Sequence, residues 1–215
     1  MNSSKRRLLS TNRVEALNDG VFAIAMTLLA FGLQVPNISK NLIATEFPHV
    51  LLGLQNHLID YAASFIILGT FWTNHHQQFH HIKYVDRWLL WMNILSLMFI
   101  SLVPFTTTLS ITYDDEKLPA LFLDGNLLII AILYLMNWLY ATSNNRFVQS
   151  DLAPQIIAVI RGINLLFLGF IIGVTICTIF YPEWSNNILI FSPFLPGMHR
   201  KLRETLANQS QGPRP

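Results

Sequence analysis

From Ala16 to Val35 the chain reads ALNDGVFAIAMTLLAFGLQV, as long as the ~20 residues that cross a bilayer as a helix. It is too polar for a simple anchor. Asn18 and Asp19 sit at its entry, Thr27 near its middle and Gln34 at its exit, with Arg13 and Glu15 just before it. Polar groups inside a membrane helix are expensive and face protein or water rather than lipid. The segment is therefore expected to line an ion pathway, with the other helices holding it in place.

The rest of the chain supports a membrane reading. Only 12% of the 215 residues are charged and 52% are hydrophobic, where a soluble domain carries about 25% charge. The single cysteine, Cys177, lies in an apolar run and permits no intrachain disulfide. The first run is too long for a signal-peptide h-region and no A-x-A site follows it, so it is expected to remain in the mature protein. A second span is predicted from about Val50 to Trp72, entered at Pro48 and continued by the polar helical end NHHQQFHH. A third runs from about Trp88 to Leu109, with Pro104 as a kink. A fourth covers about Leu121 to Tyr140, and a fifth runs from Pro154 to about Tyr181. The sixth segment, Trp184 to Pro196, is apolar but short: roughly thirteen residues reach about 20 Å, against a ~30 Å hydrocarbon core. Pro36, Asn37 and Ser39 end the first span.

Charge asymmetry supplies the topology. With six crossings and a cytoplasmic N-terminus, the inner segments and adjoining helix ends hold Lys5, Arg6, Arg7, Arg13, Lys83, Arg87, Arg146, Arg161, Arg200, Lys201, Arg203 and Arg214. The outer loops keep only Lys40 and Lys117, beside Glu46, Asp114, Asp115, Glu116 and Glu183. This is the positive-inside pattern, with both termini cytoplasmic. The expected organisation is a basic tail over 1–12, a six-helix membrane domain over 13–199 and a basic, low-complexity tail over 200–215.

In the first helix Ile24, Thr27, Leu28 and Phe31 recur at i, i+3, i+4 and i+7, one helical stripe. Such a stripe is either a helix-packing seam or a pore wall. Six short helices with one polar stripe do not easily enclose a pore, whereas copies arranged around a shared axis do. Rings of Ile24, Leu28 and Phe31 would then form constrictions that gate by dewetting, and Thr27 would add a ring of hydroxyls. Asp19 needs a partner at its depth. Arg13 is off-face on the same helix, so a pairing would run between helices or subunits; the alternative is a free N-terminal charge favoured by the helix dipole.

The run Arg13-Val-Glu-Ala-Leu-Asn-Asp19 followed by an apolar helix resembles the Arg-x-x-x-Phe-Ser-Asp opening of the transmembrane protein 175 family of potassium channels, with Leu17 for Phe and Asn18 for Ser. Phe71-Trp72-Thr-Asn-His75 resembles the end of that family's second helix. Trp88-Leu-Leu-Trp91-Met-Asn93 and Pro104-Phe105 resemble its third. The resemblance is strong over about 13–35 and 65–105 and weak after 120. It implies an all-α homotetramer of six-helix subunits with the pore lined by the first helix. Ile24 would be the main constriction, Leu28 and Phe31 further rings, and Thr27 a selectivity ring. Arg13, Asn18, Asp19, His75 and Asn93 would form a polar network joining the first three helices. Phe31 is bulkier than an aliphatic residue and would either tighten the closed pore or turn away.

The expected activity is passive K⁺ transport with weak discrimination, since no TVGYG filter occurs. The partners are the lipid bilayer, K⁺ as permeant ion and further copies of the chain, with no cofactor, metal, nucleic acid or enzymatic reaction. A small secondary transporter or proton-coupled cation carrier is the alternative, although paired inverted repeats are not evident. His76-x-x-x-His80-His81 could be read as a metal box of a membrane enzyme. That chemistry needs further boxes, and His49, His57 and His199 are isolated.

Overall fold

The computed structural model describes residues 9–33, 43–113, 116–149, 152–181 and 188–197. The end of the first span at Pro36, the loop aspartates 114 and 115, the start of the sixth segment and both charged tails, 1–8 and 198–215, lie outside the described residues.

Five helices carry the fold: α1 Asn12–Leu28, α2 Ile43–His81, α3 Arg87–Thr112, α4 Lys117–Thr142 and α5 Pro154–Phe180. Glu15 lies in the first turn of α1, where a carboxylate complements the helix dipole. After Leu28 the helix tightens into a 3₁₀ turn, Leu29–Gly32, and leaves helical geometry at Leu33. Asp86 caps α3 by accepting from the Leu89 amide at 2.9 Å. Pro154 opens α5, a position where its missing N–H leaves no helical bond unmade. Between α4 and α5, Asn144 adopts φ 54°, a left-handed turn that asparagine tolerates better than most residues.

Four stretches, Asn12–Gly32, Arg87–Thr112, Lys117–Thr142 and Pro154–Phe180, are long and apolar enough to cross a membrane. The 39 residues of α2 extend to roughly 58 Å at helical rise, well beyond a bilayer core, so its polar end NHHQQFHH projects past the apolar layer.

Two sequence expectations shift. Pro48 was expected to start the second helix, yet α2 begins at Ile43. So near a helix start, Pro48 leaves only the Ala44 carbonyl without its intrahelical donor. The stretch 1–12, read in the sequence only as a basic tail, also carries a short strand at residues 9–10. Leu9–Ser10 (β1) pairs antiparallel with Tyr84–Val85 (β2), Leu9 opposite Val85 and Ser10 opposite Tyr84. Ile82 bridges Val148, and the Lys83 amide donates to the Phe147 carbonyl at 2.8 Å. The N-terminus and the α2–α3 and α4–α5 connections are thereby knitted into one clasp. Its apolar side is a cluster of Val14, Phe79, Val85, Leu89, Trp138, Phe147 and Ile160.

A second, larger core lies between the helices. Phe22 and Ala25 of α1 and Leu29 of the following 3₁₀ turn meet Ile67 and Phe71 of α2, Ile100 of α3, Tyr134 of α4 and Phe167 of α5. Ring edges pack against faces there, with Phe71 centred 4.8 Å from Phe167 and 5.6 Å from Tyr134. The described part of the sixth segment is a turn with a short helical stretch at 194–197. It is pinned by Leu189 and Leu195 in this core and by the Ser192–Thr70 hydroxyl pair at 3.1 Å.

Where α1 ends, Gly32 packs directly on α3. A methyl group there would sit 2.6 Å from Oγ1 of Thr108, a hydroxyl already donating to the Pro104 carbonyl. Gly32→Ala is expected to destabilise the protein by about 1–3 kcal/mol through overpacking, seen as a lower unfolding temperature in detergent. Adding Thr108→Ala should recover most of the loss, because the two sites share one contact. An unchanged melting curve for Gly32→Ala would refute the close approach.

Candidate functional site

The candidate site is α1 and what holds it. Burial divides this helix cleanly. Val14, Asn18, Phe22, Ala25 and Leu29 face the protein, each 4% exposed or less. The opposite face carries Ile24, Leu28 and Phe31, which are 60%, 44% and 81% exposed. Thr27 lies on this outer face as well. The stripe seen in the sequence is thus not the seam by which α1 packs within its own chain; that seam is the face beginning at Val14.

Thr27 is held in a defined state. Its hydroxyl proton is directed at the helix backbone, with the Ala23 carbonyl at 3.0 Å and the Ile24 carbonyl at 2.9 Å. A hydroxyl has one hydrogen and two lone pairs, so what Thr27 presents outward is an acceptor.

On the inner face three buried side chains converge. Asn18, His75 and Asn93 are 1%, 4% and 0% exposed, one from each of α1, α2 and α3. The Asn93 amide donates to Oδ1 of Asn18 at 3.0 Å. His75 Nε2 lies 2.9 Å from both Nδ2 of Asn18 and Oδ1 of Asn93. One ring nitrogen can accept from the first or donate to the second, not both, so the His75 tautomer decides which amide it serves. Phe79 stacks on the imidazole at 4.2 Å, one helical turn along, and fixes the ring plane.

Asp19 is tied separately. Trp72 Nε1 donates to its Oδ1 at 2.8 Å, linking the polar end of α1 to α2 a second time. Arg13 does not join either contact: it lies on the exposed face of α1 and makes no pair with Asp19 inside one chain. Of the five residues assigned to a single network, three form a triangle, one bonds to a tryptophan, and the arginine stands apart. Trp72 was visible in the sequence only as part of a motif; its indole N–H, a donor with no acceptor function, is what suits it to a carboxylate.

The histidine run does not converge. His75 is inside the triangle, His76 stacks on Trp72 at 5.7 Å, and His80 and His81 meet each other edge to face at 5.1 Å. Burial, and then the neighbouring His80, hold the His81 imidazole below the usual histidine range. Among the described residues no three histidine, cysteine or acidic side chains gather as a metal set.

Two further polar clusters escaped the sequence reading. Thr178 of α5 donates to the buried Asp124 carboxylate of α4. Asn74 and Gln78 of α2 both donate to Oδ1 of Asn164 in α5, each at 2.9 Å. Asp124, Thr178 and Asn164, polar residues within apolar runs, were the signal for them.

Residues 13–104 match the family described as endosomal/lysosomal potassium channel TMEM175. The potassium channel Cha6605_3372 of Chamaesiphon minutus is 34% identical over 139 residues, which cover 63% of this chain and 68% of that one. The potassium channel B446_29190 of Streptomyces collinus is 39% identical over 106 residues, and the chain spans 50% of its length. The crystal structure of a lysosomal potassium-selective channel TMEM175 homolog from Chamaesiphon minutus superposes with a TM-score of 0.76 at 25% identity. That match covers 88% of this chain and 97% of the other. With its apolar helices, this is a multi-pass integral membrane protein of the cell membrane. The chain belongs to the TMEM175 family of channels.

Proposed function

We propose that the chain forms a homotetrameric, weakly selective K⁺ channel whose pore is lined by α1, with six crossings per subunit and both termini in the cytoplasm. The observation that carries this reading is the division of α1 into a polar-anchored inner face and an apolar outer face bearing Ile24, Leu28 and Phe31. In a bilayer an exposed apolar stripe faces either lipid or another helix; Thr27 on the same face, a polar group that lipid disfavours, supports the second. Copies of the same helix around an axis are the partner that the names of its relatives support, since these are potassium channels.

In such an assembly Ile24 forms the narrowest apolar ring, which stays dry when closed, and Leu28 and Phe31 add further rings. Thr27, with its proton turned inward, offers lone pairs to a partly dehydrated cation. Four side-chain oxygens at one level discriminate K⁺ from Na⁺ less sharply than a stack of carbonyl rings. The triangle of Asn18, His75 and Asn93 fixes the rotation of α1, so the rings stay in register with the axis.

Purified protein in liposomes should pass K⁺ passively and electrogenically, faster than Na⁺. Strict coupling of K⁺ movement to a counter-ion would show a carrier instead. Ile24→Asn should wet the constriction and raise resting leak. A barrier lowered by about 1.4 kcal/mol corresponds to roughly tenfold. An unchanged leak in an intact tetramer would remove Ile24 from the gate. Thr27→Val keeps the shape but deletes the oxygen, and is expected to lower the K⁺/Na⁺ permeability ratio in bi-ionic recordings.

The anchor is tested by stability. Asn93→Ala leaves Oδ1 of Asn18 buried without its donor and should cost about 1–3 kcal/mol. Asn18→Ala alone should cost a similar amount, and the double variant less than the sum. Additive losses in thermal unfolding would mean that the two amides do not act together.

A further inference from the structure

The clasp carries a positive charge that has no part in the pore reading. Lys83 and Arg87 flank β2, Arg13 lies in the first turn of α1, just after β1, and Arg146 precedes Phe147, whose carbonyl accepts from the Lys83 amide. All four side chains are exposed. The acids beside them are Glu15 and Asp86. Asp86 is buried and committed within the fold: Oδ1 accepts from the Leu89 amide at 2.9 Å and Oδ2 from the Tyr140 hydroxyl at 2.8 Å. Four exposed cations thus stand against two carboxylates, one of them buried.

Arg146 is held in place. Its guanidinium carbon lies 5.4 Å from the centre of the Phe147 ring and 6.0 Å from that of Tyr140, within the reach of cation–π attraction. The two rings stack at 5.7 Å, and the Tyr140 hydroxyl ties them to Asp86, the cap of α3, which Arg87 follows directly. A guanidinium lying on a ring keeps its in-plane N–H groups free for bidentate contact with phosphate oxygens. Beyond Arg87, α3 turns apolar side chains outward. Trp88, Trp91, Leu95, Met98, Leu102 and Phe105 are exposed at every third or fourth position. Tryptophans beside cations mark the level of the lipid head groups. From Trp88 to Met98 the helix rises about 15 Å, the depth of one leaflet of a ~30 Å hydrocarbon core.

We infer that the clasp binds the head group of an anionic phospholipid, whose acyl chains lie along α3 from Trp88 to Met98. Lys83, Arg87 and Arg146 receive the phosphate, and Arg13 adds to the field. The charge excess selects an anion over a zwitterion, whose own ammonium group cancels the attraction. The apolar stripe leading away from the cations selects a lipid over a soluble phosphate, which gains nothing from it. The inference does not depend on the pore reading; only the leaflet, the cytoplasmic one, follows from the topology proposed above.

The test uses the full chain in phosphatidylcholine nanodiscs, alike in both leaflets so that orientation does not enter. A trace of phosphatidylglycerol carries a photoreactive group at the head-group end of one acyl chain, and labelled peptides are mapped by mass spectrometry. The segment around Lys83 to Leu95 should be labelled about tenfold more than by a matched photoreactive phosphatidylcholine. Salt at 1 M, where the screening length falls to ~3 Å, should weaken that preference. Lys83→Gln combined with Arg87→Gln should reduce it to about twofold, and Arg146→Gln should act in the same direction. Arg87→Lys, which keeps the charge, should retain most of it. The Lys83 and Arg87 side chains are exposed, so their double variant is the arbiter should Arg146→Gln loosen the stacked rings. Equal labelling by the two lipids, or a preference unchanged in the double variant, would overturn the inference. So would displacement by soluble glycerol phosphate as effective as by phosphatidylglycerol, which would make the clasp an anion site without a lipid.

Discussion

A helix that packs by one face has to choose that face, and in α1 hydrophobicity cannot make the choice. Phe22, Ala25 and Leu29 on one side are no more apolar than Ile24, Leu28 and Phe31 on the other. What separates them is Asn18. Buried with His75 and Asn93, it accepts from Asn93 of α3 and has its amide nitrogen 2.9 Å from His75 of α2. Turning α1 by half a revolution would bury the Ile24 face and strand Asn93 with no amide opposite. Leaving such groups unpaired costs more than any redistribution of apolar contacts would return. One polar triangle thus fixes the rotation of a largely apolar helix, and the exposed stripe follows from it.

The second bond, from Trp72 to Asp19, adds a constraint of a different kind. Asn18 and Asp19 are sequence neighbours, 100° apart on the helix, so they reach α2 from two directions. His75 and Trp72, three residues apart on α2, share a face of that helix and receive them. Two bonds on adjacent azimuths resist rotation where one would act as a pivot. Both lie toward the start of α1, close to the clasp formed by β1, β2 and the α4–α5 connection. The far end, by contrast, is held by apolar packing, with Leu29 in the core and Gly32 close against Thr108.

Much of this was legible in the sequence. The limits of α3, α4 and α5 follow from apolar runs bounded by charge and proline, and each lies within a few residues of its expected place. Asn18, His75 and Asn93 were named together, but from likeness to a family and not from spacing. Contacts 57 and 75 residues apart along the chain leave no periodic trace. The face of Ile24 was found by its period, yet period alone favoured a packing seam; the burial of Val14, Phe22 and Ala25 places that seam on the other face. The β1–β2 pair was missed because two-residue strands carry no alternation. Asp124 and Asn164 were missed because an apolar window averages a single polar residue away.

These missed residues share a logic with the triangle. Asp124 meets Thr178, Asn164 meets Asn74 and Gln78, and Asn126 donates to the Phe99 carbonyl of α3 at 3.1 Å. Each joins two helices. In a bilayer the lipid chains are as apolar as leucine, so hydrophobic burial does little to tell one helix pairing from another. Polar contacts can, because each is satisfied in few arrangements. The chain places one or two such contacts between helices that pack together and fills the space between with Phe71, Tyr134 and Phe167. The order of the bundle is then set by a handful of amides and hydroxyls, and its density by aromatic rings. Among the described residues the face of α1 with Ile24, Leu28 and Phe31 bears no such contact, and it is this face that the proposed assembly leaves to other copies to order.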